Sequence, residues 1–167
     1  MSLVPETGSI ITGANTYATV TELRAFADLQ GVELPCADDD AEKLLSKAMA
    51  FLESSAQINR YQGSRVSSSQ ALAWPRHGVS FDGLAVSSTE IPSPLKNAQM
   101  QLAIEANTVD LMPNRELNAP GPISSEGVGP LKVSYDNSQP KGYMPAFSKA
   151  DAHLSLLFKR AGLYGVR

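Results

Sequence analysis

Apolar residues recur at three- and four-residue steps in several stretches of the chain, and each such stripe predicts a helix with one buried face. In the first, Leu23, Phe26 and Ala27 follow Thr19 and Glu22, which have the spacing of a capping box, and Gly31 is placed to stop the helix. A second begins in the acidic run Asp38–Asp40, where carboxylates favour the positive end of a helix dipole and Asp39 and Glu42 repeat the capping-box spacing. Its stripe of Leu44, Leu45, Ala48, Phe51, Leu52 and Ala56 predicts a helix reaching about Gln57. The third opens with Ser93 as N-cap and Pro94 at the first helical position, where a missing N–H costs nothing. Leu95, Ala98, Leu102, Ala106 and Val109 carry it to a stop before Pro113. In the last, Ser148 is the predicted cap with Asp151 three residues on, and Ala150, Leu154, Leu157, Phe158 and Ala161 form the apolar side.

The remaining segments are not helical in pattern. From Ile58 to Ile91 the period vanishes and Gly63, Pro75, Gly78 and Gly83 punctuate a long connection, either an ordered strap across the bundle or a surface for partners. Leu131, Val133 and Tyr135 alternate with Lys132, Ser134 and Asp136, so Ile123–Glu126 and Leu131–Tyr135 predict a hairpin around Gly127–Pro130. Such a pair is marginal alone and should lean on helices or on another chain. The predicted fold class is therefore mainly α: a small bundle of about four helices with a short β-hairpin, extended loops and a C-terminal arm. It reads as a single domain over residues 1–167, with a helical core near 15–112 and 147–161, the hairpin and loops near 113–146, and a tail at 162–167.

Composition narrows the functional classes. A hydrophobic content of 43% supplies a real core, and the net charge is −3 with a pI of about 5.4. The 14 Lys and Arg residues are scattered instead of forming the basic stripe of a dedicated duplex binder. A slightly acidic surface would suit a passage through which DNA slides. The single cysteine, Cys36, rules out an internal disulfide framework and a multi-cysteine zinc site. Residues Met1–Gly13 lack the pattern of a signal peptide, and no apolar run is long enough to span a membrane, so synthesis in a reducing cytoplasm is expected.

Candidate chemistry is sparse. Cys36 beside Pro35 has no obvious His partner to activate it. His77 and His153 are too isolated for metal-ligand spacing, and the Asp38–Asp40 run reads more readily as helix capping than as a cation site. There is no phosphate-cradling GxxxxGK loop, no GxSxG elbow and no HExxH. Neither catalytic residues, nor a cofactor, nor a metal is expected, and the chain is read as a non-enzyme. Trp74 next to Arg76 allows two readings. An indole and a guanidinium can stack a base and hold a phosphate. Alternatively Trp74 plugs the core, Pro75 fixes the exit of the chain and Arg76 pairs with a carboxylate or caps carbonyls; neighbouring Leu72 and Val79 favour this second reading.

The order of local signatures resembles a known family. It runs from Tyr17-Ala-Thr-Val-Thr-Glu-Leu through Phe51-Leu52-Glu53 and Tyr61-Gln62-Gly63 to Gln70-Ala-Leu-Ala-Trp-Pro-Arg-His-Gly-Val79. Ile91-Pro92 and Val128-Gly129-Pro130-Leu131-Lys132-Val133-Ser134-Tyr135 complete it, with Trp74, Pro75, Arg76 and Gly78 the most specific part. Over residues 15–160 this is similar to tailed-phage proteins labelled "putative DnaT-like single-stranded DNA-binding protein", and through them to head–tail connector adaptors. The resemblance implies a structural subunit of the virion neck, about twelve copies of which would form a ring by heterologous contacts. The ring would lie between the portal protein and the next neck or tail-completion protein, with double-stranded DNA passing through it without sequence-specific binding. On that expectation Leu131, Val133 and Tyr135 of the hairpin and Leu163 and Tyr164 of the tail are candidate contacts to neighbouring copies or partners. The DnaT label implies instead a primosome-like binder of single strands acting in replication.

Overall fold

The computed structural model describes residues 2–113, 125–128, 131–134 and 146–159. They fall into two units, Met1–Leu111 with Ala146–Arg167, and Met112–Pro145. The architecture is mainly α with short hairpins, as the hydrophobic pattern predicts.

In the first unit, α1 (Val20–Leu29) starts at the predicted capping box: Thr19 Oγ1 accepts from the Glu22 N–H at 3.2 Å, and the Glu22 carboxylate accepts from the Thr19 N–H at 2.7 Å. It ends in a Schellman arrangement, with the Gly31 N–H donating to Asp28 O and the Val32 N–H to Ala27 O, while Gly31 takes a φ of +66°. α2 (Asp38–Leu52) buries Leu44, Leu45, Ala48, Met49, Phe51 and Leu52. α4 (Ser93–Glu105) lies against α1, α2 and α5 (Ser148–Leu154). It is buried on most sides, with Leu95, Ala98, Gln99, Met100, Gln101, Leu102 and Ala103 all inside, as expected of a central helix.

Several sequence expectations need correction. The second helix stops at Leu52, five residues before the expected Gln57, because Ser54 takes an extended conformation and the chain restarts as the single turn α3 (Ser55–Ile58). The break lets the Glu53 carboxylate reach tertiary partners described below. Asp39 forms no capping box: the N-cap is Ala37, and Asp38 and Asp40 instead pair with Arg24 and Lys43. Ser93 and Ser148 lie inside α4 and α5, whose N-caps are Pro92 and Phe147. The third helix ends at Glu105 and leaves Val109 exposed, since Thr108 Oγ1 turns back to donate to Glu105 O. A 3₁₀ turn, Ser155–Leu157, follows α5 and buries Leu157.

The connection between α3 and α4 is an ordered strap. β1 (Ser64–Arg65) pairs antiparallel with β2 (Arg76–His77), and β3 (Ser80–Phe81) with β4 (Leu84–Ala85). Asp82 and Gly83 turn the second hairpin with φ of +52° and +78°, the type I′ signature that Asp-Gly favours. The strap is tied to the end of the chain: Tyr61 bridges Phe158, the Gln62 N–H donates to Leu157 O at 2.9 Å, and the Lys159 N–H donates to Arg60 O at 2.8 Å.

In the second unit, β5 (Ser125–Val128) and β6 (Leu131–Ser134) form an antiparallel hairpin in which Val128 pairs with Leu131. Leu131 and Val133 belong to β6; Tyr135, Leu163 and Tyr164 lie outside the described residues, as do Ala161 and the tail.

Candidate nucleic-acid interface

Of the residues that carry the resemblance, Tyr17, Glu53, Tyr61, Gln62, Gly63 and the segment Ala73–Arg76 converge where the strap crosses the end of α2. The Tyr17 hydroxyl donates to Glu53 Oε1 at 2.5 Å and accepts from the Trp74 N–H at 3.2 Å. Glu53 Oε2 accepts from the Ala73 N–H at 2.9 Å. Burial pushes the Glu53 carboxyl above the usual carboxylate range, against the pull of these donors and of Arg65 and Arg76 nearby. Burial, reinforced by the Glu53 charge, likewise raises the phenols of Tyr17 and Tyr61. Both are fixed, neutral donors at ordinary pH.

Trp74 is 1% exposed and meets Tyr61 edge-on at 5.7 Å between centroids. Its indole N–H has no hydrogen-bond partner among the described residues. The Trp74–Pro75 peptide is cis and Pro75 is buried. All three Arg76 side-chain nitrogens donate to main-chain carbonyls: Nε to Gln62 O at 2.7 Å, Nη1 to Ala73 O at 3.2 Å and Nη2 to Gly63 O at 2.8 Å. Gly63 and Gly78 both take positive φ, and a Cβ on Gly63 would sit 1.8 Å from His77 O. The Trp74-Pro75-Arg76-Gly78 segment is thus an internal fastening. Trp74 and Arg76 are turned inward and carry no free surface for a base or a phosphate.

What the fastening presents outward is different. Residues 54–81 contain Arg60, Arg65 and Arg76 and no Asp or Glu. Of these, Arg60 and Arg65 are exposed, as is His77, and Lys159 is brought beside Arg60 by the main-chain bond between them. The Arg60 guanidinium lies 3.8 Å above the Phe158 ring and Lys159 Nζ donates to Asn59 O at 3.1 Å, so both cations are positioned at the surface. The nearest breaks in this acid-free stretch are Glu53, which is turned inward, and Asp82 in the β3–β4 turn. On the α1–α2 side the balance is reversed, with Asp28, Glu33 and the Asp38–Asp40 run exposed.

Sequence reasoning missed this face. Its signal, an interval free of carboxylates, is weaker than a run of lysines, and Lys159 joins it only through folding. Also missed was buried Gln99, whose Oε1 accepts from the Tyr17 and Ala18 N–H groups at 2.9 Å each and whose Nε2 donates to Thr16 Oγ1 at 2.7 Å. A polar residue within the stripe Leu95, Ala98, Gln99, Leu102 was the available clue. Among the described residues no cluster of His, Cys, Asp or Glu has the arrangement of a metal site, and no helix is long and apolar enough to cross a membrane.

Fold and surface together define a small helical protein with an internally fastened strap and a locally basic face. The chain belongs to the family described as "Putative DnaT-like ssDNA binding protein", whose model matches residues 1–167. No curated protein matches the chain. No solved structure matches it.

The family match corrects the connector expectation. The family's description names single-stranded DNA, not a portal protein, a neck or tail-completion protein, or duplex DNA passing through a ring of copies. The expectation of a connector in the virion neck falls with it. A net charge of −3 coexists with a stretch, residues 54–81, that carries three arginines and no carboxylate.

Proposed function

We propose that this chain is a single-stranded-DNA-binding protein of the replication type, acting by binding and not by catalysis, with the strap face as its contact surface. Membership of the family over residues 1–167 carries this reading. The exposed Arg60, Arg65 and Lys159, with no carboxylate between positions 54 and 81, supply charge complementary to a phosphate backbone.

Titration of a fluorescent oligo-dT at several salt concentrations tests it. Affinity is expected to fall as salt rises, and the double variant Arg65→Gln/Lys159→Gln is expected to flatten the log–log slope by about 0.7 for each phosphate no longer neutralised. An unchanged slope with the fold intact would remove the strap face from the interface. No binding of any single strand at low salt would overturn the reading itself.

A further inference from the structure

The strap face holds more than charge. Where the β3–β4 hairpin meets Gln62 there is an open cleft of about 300 Å³ lined by Gln62, Ser80, Phe81 and Gly83. We infer that this cleft is a nucleobase subsite in which Phe81 stacks a single unpaired base and Gln62 with Ser80 meets its polar edge; the inference rests on the single-strand reading above.

Each wall fits that use. Phe81 is half-buried: its ring packs on the core yet also lines the cleft, so it is a rigid platform and not a free side chain. Gly83, held at a φ of +78° by the hairpin turn, has open space where a Cβ would stand, so nothing of its own fills the cleft. Gln62 is pinned by its main-chain N–H on Leu157 O and by Nε2 on Leu156 O at 3.0 Å, while Oε1 accepts the Ser80 N–H at 3.3 Å. A primary amide has two donors and two acceptor lone pairs. Those bonds leave one of each for a ligand, already oriented, and exposed Ser80 lines the same cleft.

The surroundings complete the match. Leu84, paired with Phe81 across the hairpin, and Leu156, whose carbonyl accepts from the Gln62 amide, are exposed apolar residues next to the lining ones. Arg60 is two residues before Gln62 and its carbonyl accepts from the Lys159 N–H, so a strand leaving the cleft past Gln62 would meet both cations, while exposed Asp82 stands at the opposite, hairpin-turn side. In a duplex, bases are paired and stacked and cannot enter such a cleft; in a single strand they can turn out onto an aromatic ring. Charge on the face attracts either form of DNA, and the cleft makes the choice between them.

The test compares wild type, Phe81→Ala and Ser80→Leu by titration with oligo-dT and with a duplex of equal length, thermal melts confirming that each variant is folded. Ser80 is exposed, so Ser80→Leu closes the cleft without disturbing the core and decides the matter should Phe81→Ala fail to fold. Both variants are expected to weaken oligo-dT binding about ten-fold, the scale of losing one stacked base, with the salt slope unchanged and duplex binding unaffected. Photocrosslinking of a 5-bromodeoxyuridine oligonucleotide should map to Phe81. If wild type binds single strands and the folded variants bind them equally well, the subsite is wrong while the single-strand reading stands. If wild type binds no single strand, both fall.

Discussion

At Gly63 the main chain passes so close to the carbonyl of His77 that no side chain fits, and its φ of +62° disfavours any L-residue. Gly63→Ala is expected to lose about 1–2 kcal/mol from the backbone conformation alone and more from the clash, read as a lower urea midpoint. Glu53, ten positions earlier, is a residue whose value to the fold depends on pH. Its folded carboxyl is held above the ordinary value of 4.5, mainly by burial. As pH rises past 4.5 the unfolded chain therefore ionises first, and this group's contribution to stability declines until the folded carboxyl also ionises. Glu22 behaves oppositely: burial would raise it, but the Thr19 N–H and hydroxyl and the Lys96 ammonium prevail and lower it, so its contribution is present above 4.5 and lost as pH falls below that. Denaturant unfolding of Glu53→Gln from pH 4 to pH 7 should show the variant gaining on wild type as pH rises. A difference that stays flat would mean that the carboxyl is not shifted.

Among the elements, α1 was fully legible because every signal for it is local: a capping box, an apolar stripe and a glycine stop all lie within thirteen residues, Thr19 to Gly31. The end of α2 was not legible. Nothing near Glu53 breaks a helix; what stops it there is the set of partners, Tyr17 and Ala73, that folding brings from both directions. Ser93 and Ser148 misled for a related reason, since a serine is a good cap in the abstract but Pro92 and Phe147 occupy the cap geometry. The inward role of Trp74 and Arg76 was legible from their apolar neighbours, whereas the basic face depends on Lys159 arriving from the far end of the chain. Gln99 shows how an element serves something beyond itself, because α4 fixes the N-terminal segment through this one side chain. Gln99→Leu keeps the volume but strands the buried Tyr17 N–H, at about 1–3 kcal/mol, and leaves the Ala18 N–H only its 3.3 Å bond to Thr16 Oγ1. It should lower stability by a comparable amount and speed hydrogen exchange at Tyr17 and Ala18.

For the whole molecule, the division between what holds the strap and what faces outward leads to a prediction that separates two kinds of single-strand binder. If Trp74 stacked a base, removing it would weaken binding with little effect on folding. Here Trp74 lies in the core against Tyr61, beneath the strap it supports. Trp74→Ala should therefore destabilise the protein by about 3–5 kcal/mol. Trp74→Phe should cost much less, since the indole N–H has no partner among the described residues to lose. Affinity for oligo-dT, measured under conditions where Trp74→Phe remains folded, should match wild type. Arg65→Gln should do the reverse and leave the melting temperature in place while reducing the salt slope, because its exposed guanidinium contributes to the face and little to the core. A folded Trp74→Phe that bound oligo-dT markedly more weakly would show that the strap opens on binding and delivers its tryptophan to the strand, so that fastening and contact surface were not separate parts.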